Sequence, residues 1–308
     1  MKKCVLIFAL GIFVTTAQAQ TSTTTMEAAP KQESTLKLKK LIQNKKFEDD
    51  KEITDTKLRA DSGSRSKYSL KFALSYAGPP VGDLGARTQP NPDGTVGVFE
   101  TSLGGSISGR YRLDSQSAVS VGTGITALTP FHGTERLDVK NPFISYDLND
   151  RMGGVQMRHS FGYAVTTVPN YRSVGQYGSA KYDHSMVHNF GASGWAVGLD
   201  TGLDLFFFER DYQPKDRKST RYHLGFYPQV KYNFSDKVNI YSSLAMNYWN
   251  PRSEASEGIL RNKKIGQRVG MGIGFTRDIY FAPYLNFYPD NPRWDTTTLS
   301  VATVFSLL

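Results

Sequence analysis

The sequence predicts an all-β chain: a closed antiparallel transmembrane β-barrel of about twelve strands, with short turns at one end and longer loops at the other. Three observations carry that expectation. Apolar and polar residues alternate with period two in one segment after another. The segments run roughly 8–15 residues, the length a tilted strand needs to cross a bilayer. The connections between them alternate short, long, short, long.

The chain opens on "MKKCVLIFALGIFVTTAQAQ". Lys2 and Lys3 form a basic start, Cys4 through Val14 an apolar run, and Ala17-Gln18-Ala19 a small-x-small cleavage site. The stretch reads as a secretory signal peptide over residues 1–19, too short for a spanning helix. Cys4 is the only cysteine and lies at the start of the apolar run rather than at the cleavage point, so lipidation is not expected. A mature chain starting at Gln20 would hold no cysteine, and so no disulfide, thiol nucleophile or cysteine-ligated metal. Export without disulfides suits a bacterial envelope protein.

Residues 20–66 are charged and poor in apolar side chains, a composition that favours a flexible periplasmic segment. Leu38, Leu41 and Ile42 have helical spacing, so a short helix near Ser34 to Phe47 is expected. The sharper alternative is that part of the segment docks on a partner or folds into the barrel mouth.

The barrel is assigned to residues 67–308. In "YSLKFALSYA", Tyr68, Leu70, Phe72, Leu74 and Tyr76 share one face, while Ser69, Lys71, Ala73, Ser75 and Ala77 share the other. "SLGGSISGRYRL", "AVSVGTGITA", "VQMRHSFGYAVT", "RYHLGFYPQVKYNF", "VNIYSSLAMNY", "IGQRVGMGIGF", "IYFAPYLNF" and "TLSVATVFSL" repeat the pattern. "NPFISYDL", "MVHNFGASGWAVG" and "GLDLFFFERD" are weaker strands. "DSQS", "NDR", "SDK" and "TRD" read as tight turns, with a further one near "LDT". Long segments such as "GPPVGDLGARTQPNPDGT", "VPNYRSVGQYGSAKYDHS" and "YPDNPRWD" lie between them. A soluble sandwich also alternates, but its loops need not, and a spanning sheet must close so that no backbone polar group meets lipid unpaired. Tyr68, Tyr111, Tyr146, Tyr232 and Phe234 fall near the short-turn ends, and Tyr76, Tyr248 and Phe287 near the long-loop ends, as two aromatic girdles. Pro228 and Pro283 sit mid-strand, where a bulge or local distortion is expected.

On these features the chain, from Tyr68 to Leu308, resembles the bacterial outer-membrane β-barrel class. The resemblance implies outer-membrane location, contact with membrane lipid, and delivery by the insertion machinery through the C-terminal strand. Chains of the class usually end in an aromatic residue. Here "VFSLL" places Phe305 three residues short of the end, leaving that role to Phe305 or Leu308.

The face assigned to the lumen carries Lys71, Arg110, Arg112, Arg158, Arg221, Lys231 and Arg268, and with them Asp147, Asp204 and Arg210. Basic groups outnumber acids in that set, which lowers the barrier for anions. The alternative is that these charges pair and plug a narrow barrel. About twelve strands lies between filled barrels of about eight and wide porins of about sixteen, so width alone does not decide. Gly104, Gly122, Gly124, Gly266, Gly270, Gly272 and Gly274 either thin the lumen wall or serve curvature, the latter being preferred. Phe206 and Phe208 are placed inward and Phe207 toward lipid.

Enzyme readings lack a site. A lipid-facing Ser-His-Asn set, as in an outer-membrane phospholipase, would need His and Ser on one face, and His159 and Ser160 are neighbours on opposite faces. GxSxG and HExxH are absent, and "GGSISG" lies mid-strand. His184 and His188 share a strand face but bring no clear third ligand. No cofactor or metal is expected. The formal net charge of +9 falls to +7 without Lys2 and Lys3. No basic cluster interleaved with aromatics suggests a nucleic-acid partner. The expected function is a passive channel or facilitator for small polar or anionic solutes. The alternative is a non-conducting structural or adhesive barrel acting through its loops, which a lumen closed by paired charges or by the N-terminal segment would favour. An outer-membrane lipid-modifying enzyme comes third.

Overall fold

The computed structural model describes residues 53–91, 99–210, 219–252, 261–262 and 264–307. All belong to the second of two compact units, Met1–Asp49 and Asp50–Leu308. The signal peptide and the helix expected at Ser34 to Phe47 lie outside the described residues.

Twelve long strands follow one another: β1 Tyr68–Pro80, β2 Ser102–Arg112, β3 Ser117–Leu128, β4 Arg136–Met152, β5 Val155–Val165, β6 Gln176–Asn189, β7 Trp195–Phe208, β8 Thr220–Asn233, β9 Val238–Pro251, β10 Gly266–Thr276, β11 Ile279–Phe287 and β12 Thr298–Leu307. Each pairs antiparallel with its neighbours in sequence, and β1 pairs with β12 from Leu70↔Leu307 to Ala77↔Ser300. That last ladder closes the sheet into a twelve-stranded barrel. Closure satisfies the backbone without an edge, the condition for a sheet that meets lipid. Among the described residues no helix is long and apolar enough to cross a membrane.

The side-chain period orders the two faces. Val121, Ile144, Phe161, Val197, Val230, Ile240, Val269 and Leu285 point outward and are exposed. Near the short-turn end, Tyr68 and Tyr111 pack at 5.2 Å, Trp195 and Tyr232 at 5.1 Å, and Tyr232 and Phe234 at 5.1 Å. This is the expected lower girdle. Phe72 stacks on Phe305 at 4.6 Å across the β1–β12 seam, so the last aromatic of the chain is anchored on the outer face.

Two strands differ from expectation. "MVHNFGASGWAVG" is not one strand: a short 3₁₀ turn at Gly191–Ser193 splits it between β6 and β7. The "LDT" stretch, expected as a turn, lies inside β7, and "GQYGSAKYDHS", expected as loop, forms most of β6. The strand number survives because one spurious turn was exchanged for one missed turn. Pro228 and Pro283 interrupt the ladder on one side only. Pairing with β9 lapses between Phe226↔Met246 and Gln229↔Ser243, and with β10 between Tyr284↔Gly270 and Phe281↔Ile273, yet neither site shifts register. A missing N–H therefore costs a ladder bond here without inserting a residue.

A short helix, α1 Thr56–Asp61, precedes β1. It lies against β10, β11 and β12. Asp55 caps it, its carboxylate accepting from the Leu58 N–H at 3.0 Å. A second helical turn, α2 Pro169–Arg172, sits in the connection between β5 and β6.

Candidate functional site

The lumen is built by what the strands point inward. Residues 53–66 cross it at the short-turn end, and their charges meet charges on the wall. The Lys231 ammonium on β8 donates to Asp55 at 2.9 Å, with both side chains almost fully buried. Gln156 on β5 is wholly buried, and its Oε1 accepts from the backbone N–H of Thr54 and of Asp55 at 2.7 and 2.8 Å. Lys57 reaches Asp200 on β7 at 3.2 Å and Asp61 at 3.4 Å. Lys71 on β1 donates to the backbone oxygen of Asp61. The Ser62 hydroxyl meets Asn149 on β4 at 2.8 Å. Thr56 donates to the backbone of Asp236 in the β8–β9 turn at 3.1 Å.

Apolar contacts complete the seat. Leu58 and Ile53 pack with Val187 and Ala196 of β6 and β7, and Ala60 packs with Tyr280 and Ala282 of β11. Burial alone would raise the carboxyls of Asp55 and Asp61 and lower the ammonium of Lys57. The ion pairs outweigh it: Lys231 holds Asp55 below the usual carboxylate range, Lys57 with Arg158 and Lys71 does the same for Asp61, and Asp200 with Asp61 raises Lys57. The segment is thus held on several sides of the wall at once.

Among the described residues, two cavities lie in the lumen against this plug. One, of about 450 Å³, is lined by Lys71, Ser108, Ser120, Asp147, Arg158 and Asp183 among others. The second, of about 440 Å³, is bounded by Lys57, Asp200, Asp204, His223, Tyr227, Arg268 and Tyr284. A third, of about 760 Å³, lies at the long-loop end and is lined by Lys140, Asn170, Tyr171, Phe206, His223 and Trp249.

The sequence-derived site residues distribute unevenly. Arg158 and Asp147 form a tight pair at 2.7 Å. Asp204 binds His223 at 2.9 Å, and the other ring nitrogen of His223 meets Asn247 at 3.1 Å. Arg268 lies over the rings of Tyr227 and Tyr284, 5.9 and 5.5 Å from their centres. Lys71 and Lys231 hold the plug. Arg110 is buried and Arg112 partly buried near the short-turn end. Arg210 and Arg221 are exposed at the long-loop end, away from these cavities. The excess of base over acid does not extend to the middle of the lumen. Lys57, Lys71, Arg158, Lys181, Lys231 and Arg268 face Asp61, Asp147, Asp183, Asp200 and Asp204 there. Lys181, Asp183 and Asp200 were missed because their stretches read as loop and turn. Arg110, Arg112 and Arg277 lie together toward the short-turn end.

Two of the inward glycines, Gly270 and Gly272, make room for side chains of the neighbouring strand. A Cβ on Gly270 would lie 2.5 Å from Cβ of Tyr284, and one on Gly272 would strike the Tyr280 hydroxyl. They are seats for tyrosines on the neighbouring strand. Phe206 lines the outer cavity, and Phe207 faces outward against Tyr163 and Tyr177.

His159 and Ser160 do take opposite faces. Ser160 lines the first cavity, while His159 meets Tyr182 at 2.9 Å and His184 at 3.2 Å on the outer surface. Asp183, adjacent to His184, points inward to Lys181 at 3.1 Å. Among the described residues no group of three or more His, Cys, Asp or Glu could hold a metal ion.

No protein-family profile matches the chain, and no curated relative matches it. Solved structures similar to it include the COG4313 outer membrane channel from Pseudomonas putida F1, at 11% identity and TM-score 0.48, covering 80% of this chain and 98% of that one. The NanC porin is 8% identical with TM-score 0.42, covering 78% and 100%. The KdgM porin is 8% identical with TM-score 0.40, covering 78% and 99%. In its own geometry the chain joins an apolar outer face and aromatic girdle to a charged interior, in the closed twelve-stranded antiparallel barrel that its sequence predicts.

Proposed function

We propose that this chain is an exported outer-membrane barrel acting as a passive channel or facilitator for small polar or anionic solutes. The observation that carries the reading is the set of cavities in the lumen, lined by charged side chains, serines and tyrosines; the two beside the plug share Asn141, Ser179 and His223 with the one at the long-loop end. Such a wall replaces part of the hydration of a polar solute. Near-balanced charge in the middle favours polar solutes at large, and the arginines at the short-turn end bias entry and exit toward anions.

In this reading residues 53–66 form the barrier to flow. The same segment supports a second reading, a non-conducting barrel acting through its loops, because the plug is held by a buried ion pair and apolar packing. Planar-bilayer recording on the chain from Gln20 to Leu308, with reversal potential under a salt gradient, separates the two. Discrete steps in the wild type, or steps that appear when Lys231→Met loosens the plug, support a channel. Silence from both correctly inserted proteins supports the non-conducting barrel.

A further inference from the structure

Arg110 stands on β2 with 3% of its surface exposed, and two of its three guanidinium nitrogens have no acceptor. Nη1 makes only a long contact of 3.4 Å with the backbone oxygen of Ser64. Nε and Nη2, which form the side-on edge of the group, are buried without a hydrogen-bond partner. That edge presents two parallel N–H donors in the geometry that fits two oxygens of one oxyanion.

The surroundings match. Ser69 on β1 and Ser120 on β3 are the direct cross-strand neighbours of Arg110. Both hydroxyls are buried, and neither has a partner. Three adjacent strands therefore set a guanidinium between two free hydroxyls on one inward row. Gly63 of the plug closes the other side: a Cβ there would come within 3.1 Å of Nη1 and 3.3 Å of Cδ, at a backbone φ of +70° that a glycine adopts without strain.

The charges nearby do not supply the missing acceptor. Asp147 is within electrostatic reach but is tied to Arg158, and Arg112, Arg158 and Arg277 add positive field. A buried cation left uncompensated is unfavourable, and buried polar groups without partners call for an ion or ordered solvent.

We propose that Arg110, Ser69 and Ser120 form a binding site for a small oxyanion of the phosphate type, placed where the plug meets the barrel wall. Two oxygens would accept from the Arg110 edge and the others from the seryl hydroxyls. The site is independent of whether the barrel conducts. Because Gly63 and Ser64 of the plug form one side of it, the bound anion would also strengthen the joint between plug and wall.

The test is calorimetric titration of inorganic phosphate into the refolded chain from Gln20 to Leu308 in a zwitterionic detergent without phosphate, paired with thermal unfolding. Saturable binding with one phosphate per chain is expected, with a rise in melting temperature as phosphate increases. Arg110→Gln should weaken binding by at least about tenfold, and Ser69→Ala with Ser120→Ala should weaken it severalfold. Arg136→Gln, at the exposed end of β4, should leave it unchanged. A soluble short-chain phosphatidic acid forms a second arm. If it binds and inorganic phosphate does not, the group recognised is a lipid headgroup and the free-anion site is overturned. No saturable binding of either, or equal affinity in wild type and Arg110→Gln, also overturns it. Should Arg110→Gln fail to fold, the double serine variant decides, and unchanged affinity there rejects the site.

Discussion

Asp55 and Lys231 meet at 2.9 Å within the barrel, 176 residues apart in sequence, with side chains 3% and 2% exposed. Removing one partner leaves the other charge buried and alone, at a cost of about 3–5 kcal/mol. Asp55→Asn and Lys231→Met should each lower the urea midpoint and expose residues 53–66 to protease. The double variant should recover part of the loss, since the charges leave together. Equal protease protection in wild type and single variants would show that the ion pair does not hold the segment.

Docking of the plug should depend on pH at both extremes. Asp55 and Asp61 are held below their ordinary value of 3.8, so their contribution is present above it and lost as the pH falls through their lowered values. Lys57 is raised above its ordinary 10.5, so its contribution is complete below that value and is lost as the pH rises through the raised one. At the acid end, protection of residues 53–66 should therefore hold down to about pH 4 and fall off below it, and Lys57 adds no midpoint below about pH 10. A midpoint near neutrality would point to a histidine and contradict this assignment.

The two faces can be tested on adjacent residues. Leu224 points outward between Leu203 and Tyr248, whereas His223 points inward to Asp204 and Asn247. Leu224→Arg should destabilise the folded barrel by about 2–4 kcal/mol if it lies near the bilayer midplane. His223→Arg places a cation beside Asp204 and should be tolerated. The fraction folded, read from the gel-mobility shift of unheated samples, compares them, and equal damage would reverse the inside–outside assignment.

Gly272→Ala should disturb the plug through the tyrosine on which it rests. The added methyl strikes the Tyr280 hydroxyl, and Tyr280 is the surface on which Ala60 packs. Faster proteolysis of residues 53–66 is expected, with the β-sheet circular dichroism signal retained.

Clean alternation made β1, β2, β5, β8 and β12 legible, because their lipid faces are apolar and their lumen faces small or charged. β6 was hidden by inversion. Its outward face carries His184 and His188, which read as polar, while its inward Val187 is apolar because it packs on Leu58 of the plug. Asp200 was taken for a turn residue because its acidic side chain interrupts an apolar run, and that charge answers Lys57. The plug was legible only as the alternative to a flexible segment, for a related reason. Its composition is that of a solvated segment, and the groups that neutralise it lie on β1, β5, β7 and β8, far along the chain. Of the candidate site, the inward placement of Arg110, Arg158, Lys231 and Arg268 could be read from parity alone. Their partners could not.

The plug runs directly into β1, the strand that closes the seam with β12, and its Asp55 and Lys57 fasten to β8 and β7 across the ring. A segment tied both to the seam and to the opposite wall acts as an internal tie-rod. Lateral separation of β1 from β12 would pull on Asp55, and withdrawal of the plug would release that tension from the seam. Mechanical integrity of the wall and occupancy of the passage are therefore two readings of one linkage.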